Sequence, residues 1–197
     1  MKRIIIASSN EGKINEFKAL LKGFELFSLA EFYKGEIEEN GSSFRENALI
    51  KARAVYENLN EKQRKEFIVL SDDSGLCVEA LNGRPGIFSA RFSGQKSDEA
   101  NRKKLIFELN SLNLNKSKAY FKCVIALRSF YGECFTNGVF RGFVIDKELG
   151  ENGFGYDSLF IPRTYDKTLA QLSPELKNNI SHRAKALKLM KRILKLF

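Results

Sequence analysis

Histidine is almost missing from this chain: His182 is the only one among 197 residues. A zinc site built on histidines is thereby excluded. Any bound metal has to be held by carboxylates, which favours a hard ion such as Mg2+. Cysteine is scarce too. Cys77, Cys123 and Cys134 are odd in number, show no C-x-x-C spacing, and lie in apolar or strand-like surroundings. They read as reduced core residues and exclude a disulfide framework. No apolar run reaches the roughly 18 residues that a membrane span requires. The opening MKRIIIASSN is too brief for a signal peptide and reads as a first strand, so the expected location is the cytoplasm. There is no internal repeat and no low-complexity segment.

Charge is present in excess of one sign. Lysine and arginine total 33 against 24 acids, for a formal net charge of +9, part of it in a basic C-terminal helix. Such an excess attracts polyanions: nucleic acid, acidic lipid or a phosphorylated small molecule. The length suits one domain, or one domain with two lobes (residues 1–197).

The stretch FIVLSDDSG, Phe67 to Gly75, organises the rest. Phe67–Leu70 with Ser71 reads as a short buried strand that stops at Asp72 and Asp73. Ligands in open α/β sheets collect beyond strand ends. Two adjacent acids there need a cation or a hydrogen-bond network, unless they only close an Asx turn. Alternation along an extended chain sends Asp72 and Asp73 to opposite sides.

Arg3–Ala7 reads as the first strand, followed by the polar turn Ser8-Ser9-Asn10-Glu11-Gly12-Lys13 and a helix from about Lys13 to Lys22. Strand, glycine-containing turn and helix form a phosphate-binding arrangement. It is not a Walker motif, because Ala7 and Ile14 stand where glycine and Ser or Thr are required. Further on, Glu25–Leu29 suggests a second strand and 36–41 an acidic loop. Ser43 with Glu46 suggests a capping box before a helix carrying Ala48, Ala52 and Val55. Asn82-Gly83 predicts a hairpin-like return, and Ser97 a helix cap. Lys118–Ser129 and Glu133–Ile145 read as long strands, apolar on both faces around Val124–Leu127, and Ser158–Ile161 as a last strand. Ser173-Pro174 and Ser181 open the final helices.

In order, the motifs resemble those of the inosine triphosphate pyrophosphatase family. They are Ser8-Ser9-Asn10-x-Gly12-Lys13, Glu38-x-x-Gly41, Ser71-Asp72-Asp73-Ser74-Gly75-Leu76, Pro85-Gly86-Ile87-x-Ser89-Ala90-Arg91, Phe154-Gly155-Tyr156-Asp157 and Ser181-His182-Arg183. The resemblance spans Ile4 to about Leu189. It implies an elongated α/β fold with a long central mixed sheet flanked by helices, and two lobes with an active-site cleft between them. It also implies a homodimer, Mg2+ dependence, and hydrolysis of noncanonical purine nucleoside triphosphates (dITP, ITP, XTP) to monophosphate and pyrophosphate. By position, Ser8, Ser9, Asn10, Glu11, Gly12 and Lys13 are implied to bind the triphosphate, and Ser74 to touch substrate. Glu38 and Asp73 are implied to hold the metal, with Asp73 also the proton acceptor. Phe154, Gly155, Tyr156, Asp157, Lys177, His182 and Arg183 are implied to form the nucleoside end. The chain departs in having Ser8-Ser9 where Thr-Gly is frequent, and Ser71 where alanine is.

Hydrolysis of the α–β anhydride requires an attacking water, neutralisation of the leaving group, and positioning. Lys13 and the helix N-terminus behind it supply positive potential, with Lys177 a second cation. Asp72 and Asp73 are interchangeable as proton acceptor on these grounds. A donor at the purine 6-position, from Arg183, His182 or a backbone N–H, accepts hypoxanthine and is left unpaired by adenine. Phe154 is expected to stack on the base. Two other readings stand beside this one: a pyrophosphatase for other modified nucleotides, and a basic nucleic-acid-binding protein, which the lack of an RNA-binding aromatic signature disfavours.

Overall fold

The computed structural model describes residues 2–196. A six-stranded sheet runs in the order β2-β1-β3-β4-β5-β6. The strands are β1 (Arg3–Ile6), β2 (Glu25–Ser28), β3 (Phe67–Val78), β4 (Lys116–Ser129), β5 (Gly132–Ile145) and β6 (Phe160–Pro162). The helices are α1 (Glu11–Leu20), α2 (Phe44–Glu57), α3 (Glu61–Glu66), α4 (Asp98–Ser111), α5 (Pro174–Ile180) and α6 (His182–Leu194). β1 pairs parallel with β2 and β3, and β5 antiparallel with β6, so the sheet is mixed as expected. Among the described residues no helix is long and apolar enough to cross a membrane.

The chain divides into two compact units, the first comprising Met1–Asp73, Cys123–Gly138 and Arg183–Phe197. Here the three isoleucines of β1 are buried. Ile4 and Ile6 share a core with Phe17 and Leu21 of α1 and with Leu187, Met190 and Leu194 of α6. The apolar stripe of α6 is thus a core face, as its spacing predicts. α2 meets β3 through Ser71, whose hydroxyl donates to the Ala48 carbonyl at 2.5 Å. Cys123 to Leu127 are buried without a break, the signature of a strand covered on both faces. Ser43 caps α2 by accepting from the Glu46 N–H, but the Glu46 carboxylate turns to Ser42, so the predicted box is only half formed.

The second unit comprises Ser74–Lys122 and Val139–His182. Its core joins Leu76, Leu105, Leu109, Phe121, Phe140 and Phe160, with the Phe121 and Phe160 rings 4.8 Å apart. In this unit β4 alternates buried and exposed residues from Lys116 to Phe121, so one face is left open. The expected return at Asn82-Gly83 is a tight turn with both residues at positive φ and a single antiparallel bridge, Cys77 to Pro85. The last strand starts later than predicted, at Phe160, after a 3-10 turn at Asp157–Leu159. Gly142 faces Pro162 across β5 and β6, where a Cβ would run into the Ile161 carbonyl oxygen and the Phe160 ring. Gly142→Ala is therefore expected to destabilise the protein by about 1–3 kcal/mol, the usual cost of overpacking. A thermal melt reads this, and an unchanged midpoint contradicts it.

Candidate active site

β3 does not stop at the two acids. It runs straight through Asp72, Asp73, Ser74 and Gly75 to Val78, and every residue but Ser74 is buried. The expectation of a strand tip is corrected. Asp, Ser and Gly favour turns, but β3 is an interior strand between β1 and β4, and charged neighbours meet the carboxylates.

The two acids meet different partners, as alternation requires. Asp72 is 1% exposed. Its Oδ1 lies 2.9 Å from Lys13 Nζ, and its Oδ2 accepts from Arg183 Nε at 3.1 Å and Nη2 at 2.9 Å. Arg183 also donates through Nη1 to Glu16. Asp73 is 4% exposed, with Oδ1 3.9 Å from Lys51 Nζ. Lys51 makes its closer contact, 2.7 Å, with Glu39.

These surroundings drive two neighbouring carboxyls apart. Burial works against the charge of Asp72, but Lys13, Arg183 and Lys51 outweigh it and hold the carboxyl far below the usual range. For Asp73 burial wins over Lys51 and Lys13, with Glu39 and Asp72 adding repulsion, and the group is pushed up to about 6. Adjacent carboxyls separated in this way take different chemical roles.

Around the N-terminal turn, Asn10 caps α1 by accepting from the Lys13 N–H at 2.9 Å, and Ser8 Oγ accepts from the Asn10 N–H at 3.2 Å. Ser9, Asn10 and Glu11 are exposed, whereas Ser8, Gly12 and Lys13 are half-buried. The helix begins at Glu11, earlier than predicted. Glu38 is exposed in its loop; the acid that meets Lys51 is its neighbour Glu39. Among the described residues no three of His, Cys, Asp and Glu are grouped to hold a metal.

In the second unit, the Phe154–Asp157 loop is held from several sides. Asp157 Oδ2 accepts from the Phe154 N–H at 3.0 Å and from Lys177 Nζ at 2.6 Å. The Lys177 ammonium also sits 4.3 Å from the Phe154 ring centre. Gly155 donates its N–H to Asp98 at 2.8 Å, and its carbonyl accepts from Arg102. The Tyr156 hydroxyl donates to the Ser89 carbonyl at 2.8 Å. Gly153 has φ of 82°, and a Cβ there would strike the Asp157 carboxylate. His182 is buried and stacks on Phe121, with rings 4.7 Å apart and 10° from parallel. A cavity of about 660 Å³ elsewhere in this unit, on the open face near Tyr120, Arg141 and Phe143, is lined by none of the expected site residues.

The first unit thus brings together Lys13, Asp72, Asp73 and Arg183. The second brings together Phe154, Asp157 and Lys177. Arg183, expected as a donor at the nucleoside end, is 1% exposed and gives Nε, Nη1 and Nη2 to Asp72 and Glu16. Sequence reading missed Glu16, Lys51 and Glu39. The signal for Lys51 was there: it lies between Ala48, Ala52 and Val55 on the buried stripe of α2. Likewise Glu16 is a charged residue beside the buried Phe17.

Comparison with known proteins gives a match to the Ham1 family profile over residues 4–193. The dITP/XTP pyrophosphatase of Campylobacter jejuni is 58% identical over 195 residues, 98% of each chain. The Ham1 protein of Staphylococcus aureus superposes with a TM-score of 0.85 at 43% identity, over 98% of both chains. A HAM1 protein from Coxiella burnetii does so at 0.87 and 36%, over the whole of both.

Proposed function

Because this chain belongs to the Ham1 family, we propose that it hydrolyses dITP, ITP and XTP to the nucleoside monophosphate and pyrophosphate, with Asp73 as proton acceptor. The observation that carries the assignment of roles is the split between the two acids. Asp72 is locked as an anion by Lys13 and Arg183, whereas Asp73 is pushed up to about 6. A carboxylate of that basicity is still ionised at neutral pH, yet is a far better base than a free aspartate of pKa about 3.9.

Water attacks the α-phosphorus. An oxygen–phosphorus bond forms as the bond to the α–β bridging oxygen breaks. The water proton passes to Asp73, and the electron pair leaves with pyrophosphate. The turn Ser8–Lys13, ending in the α1 N-terminus and the Lys13 ammonium, faces the anionic end of the substrate. Asp72 keeps that ammonium in place.

The donor set fits a hard divalent cation. Asp73 is a buried carboxylate, with its Oδ1 3.9 Å from Lys51 Nζ. Asp73 and Glu38 would hold Mg2+, which commonly takes one or two carboxylates and completes its shell with water and phosphate oxygens. When bound, it would supply positive charge to the phosphate oxygens.

At the nucleoside end, Lys177 covers one face of Phe154 and the base stacks on the other. The N–H groups of Phe154 and Gly155 are given to Asp157 and Asp98, so His182 is the first donor to test for the purine 6-oxygen. Arg183 reaches a nucleotide only from its fixed place on Asp72 and Glu16. A cytoplasmic homodimer acting on small-molecule nucleotides, with no nucleic-acid partner, completes the reading, supported by the resemblance to the family.

Pyrophosphate release across a nucleotide panel, with Mg2+ and with chelator, tests the proposal. ITP, dITP and XTP are expected to exceed ATP and GTP, and chelator to abolish turnover. Equal rates with ATP, or faster release from modified pyrimidine nucleotides, would overturn the substrate assignment.

A further inference from the structure

We propose that Glu16 is a positioning residue for phosphate binding: acting through Arg183 and Asp72, it sets the place of the Lys13 ammonium. The consequence for turnover rests on the pyrophosphohydrolase reading; the geometry does not. Glu16 stands three residues after Lys13 on α1, about one turn along the helix. It nevertheless turns inward and is 6% exposed. A glutamate so deeply buried requires a partner. Arg183 Nη1 provides it. Arg183 in turn holds Asp72 Oδ2 through Nε and Nη2, and Asp72 Oδ1 holds Lys13 at 2.9 Å. Four charges therefore alternate in sign, Glu16, Arg183, Asp72, Lys13, all within the first unit. The first three are sealed from solvent, and the Lys13 side chain is 18% exposed.

The alternation decides what Glu16 does. The four charges sum to zero. Without Glu16 they leave one positive charge in excess, and two cations compete for Asp72. A guanidinium favours gripping a carboxylate at both oxygens, as a fork. Arg183 is sealed in the interior, away from water. Lys13 has water as an alternative, so Lys13 is the cation released. With Glu16 present the guanidinium is divided between two acids, and Asp72 Oδ1 stays with Lys13. A tethered ammonium is in place before the triphosphate arrives, which is what electrostatic preorganisation requires.

A double-mutant cycle separates this role from simple stabilisation by a buried ion pair. Glu16→Gln, Lys13→Ala and the double variant are compared by kcat/KM for ITP with Mg2+, and by calorimetric binding of inorganic tripolyphosphate. With Lys13 present, Glu16→Gln is expected to lower both quantities about tenfold; with Lys13→Ala the effect falls below about twofold. The same factor in both backgrounds, or no effect in either, overturns the inference. The binding arm keeps the two readings distinct. If the wild-type protein releases no pyrophosphate from ITP, the function fails, while coupling in tripolyphosphate binding still supports the positioning role. Wild-type protein that does not bind tripolyphosphate overturns the positioning role itself. Should Glu16→Gln not fold, Glu16→Asp replaces it, since it keeps the charge and shortens the reach. A loss of about threefold that vanishes with Lys13→Ala is then expected, and a loss that persists, or none, overturns the inference.

Discussion

Asp73→Asn is expected to abolish turnover while making the protein more stable. Removing a general base costs about 10²- to 10⁴-fold in rate. The stability change has the opposite sign to most buried-charge removals, because burial raises Asp73 to about 6 while the unfolded chain has about 3.9. The folded protein therefore holds this proton more tightly than the unfolded one. Below about pH 4 both states are protonated and the charge costs nothing. As pH rises from about 4 to about 6 the wild-type protein loses stability that the asparagine variant keeps, about 3 kcal/mol in all by linkage, and the loss is complete above 6. Melts of both proteins from pH 4 to 8 read this as curves that converge near pH 4, part between about pH 4 and 6, and keep a constant separation above 6. Added Mg2+ is expected to stabilise the wild type and leave the variant unmoved. A variant less stable than wild type at pH 8 would mean that Asp73 is not the strained group described above.

Arg183→Leu is expected to be the most destabilising single change at this site. It leaves Asp72 and Glu16 buried in the absence of the guanidinium that both contact. Breaking a buried ionic network from one side costs about 3–5 kcal/mol. In a chain of this length that lowers the thermal midpoint by about 6–20 °C. The linkage runs opposite to that of Asp73. The folded Asp72 carboxyl lies far below its unfolded value, so its pairing is fully present above about pH 4 and is lost only as acid approaches the depressed pKa. The variant is thus expected to show its full deficit at neutral pH and less of it in acid. A midpoint within about 2 °C of wild type at pH 7, a change of about 1 kcal/mol or less, would remove Arg183 from the centre of the network. Replacing Asp72 as well, by Asn, is expected to recover part of the loss, since one stranded charge goes with it.

The strands and helices were largely legible because their periods are simple. The isoleucines of β1, the unbroken apolar run of β4 and the stripe Leu187, Met190, Leu194 each announce their burial in one dimension. Helix α3, capped by Asn60 and Gln63, buries no residue and has no apolar period to announce it. The length of β3 was misread for a physical reason. Asp72-Asp73-Ser74-Gly75 is turn-forming by local preference, and only pairing inside the sheet, with cations supplied from α1, α2 and α6, makes it a strand.

Residue types and their order were sufficient to pick out the family, and to single out the turn Ser8–Lys13 and the two adjacent acids as the candidate site. They were insufficient to assign those acids. Which carboxyl is locked as an anion and which stays basic depends on burial and on charges brought from distant parts of the chain: Lys51 to Asp73, and Lys13 and Arg183 to Asp72. Protonation responds to distance in space and to the loss of water, and neither is written along the chain; only folding sets Lys13, Arg183 and Lys51 at unequal distances from Asp72 and Asp73.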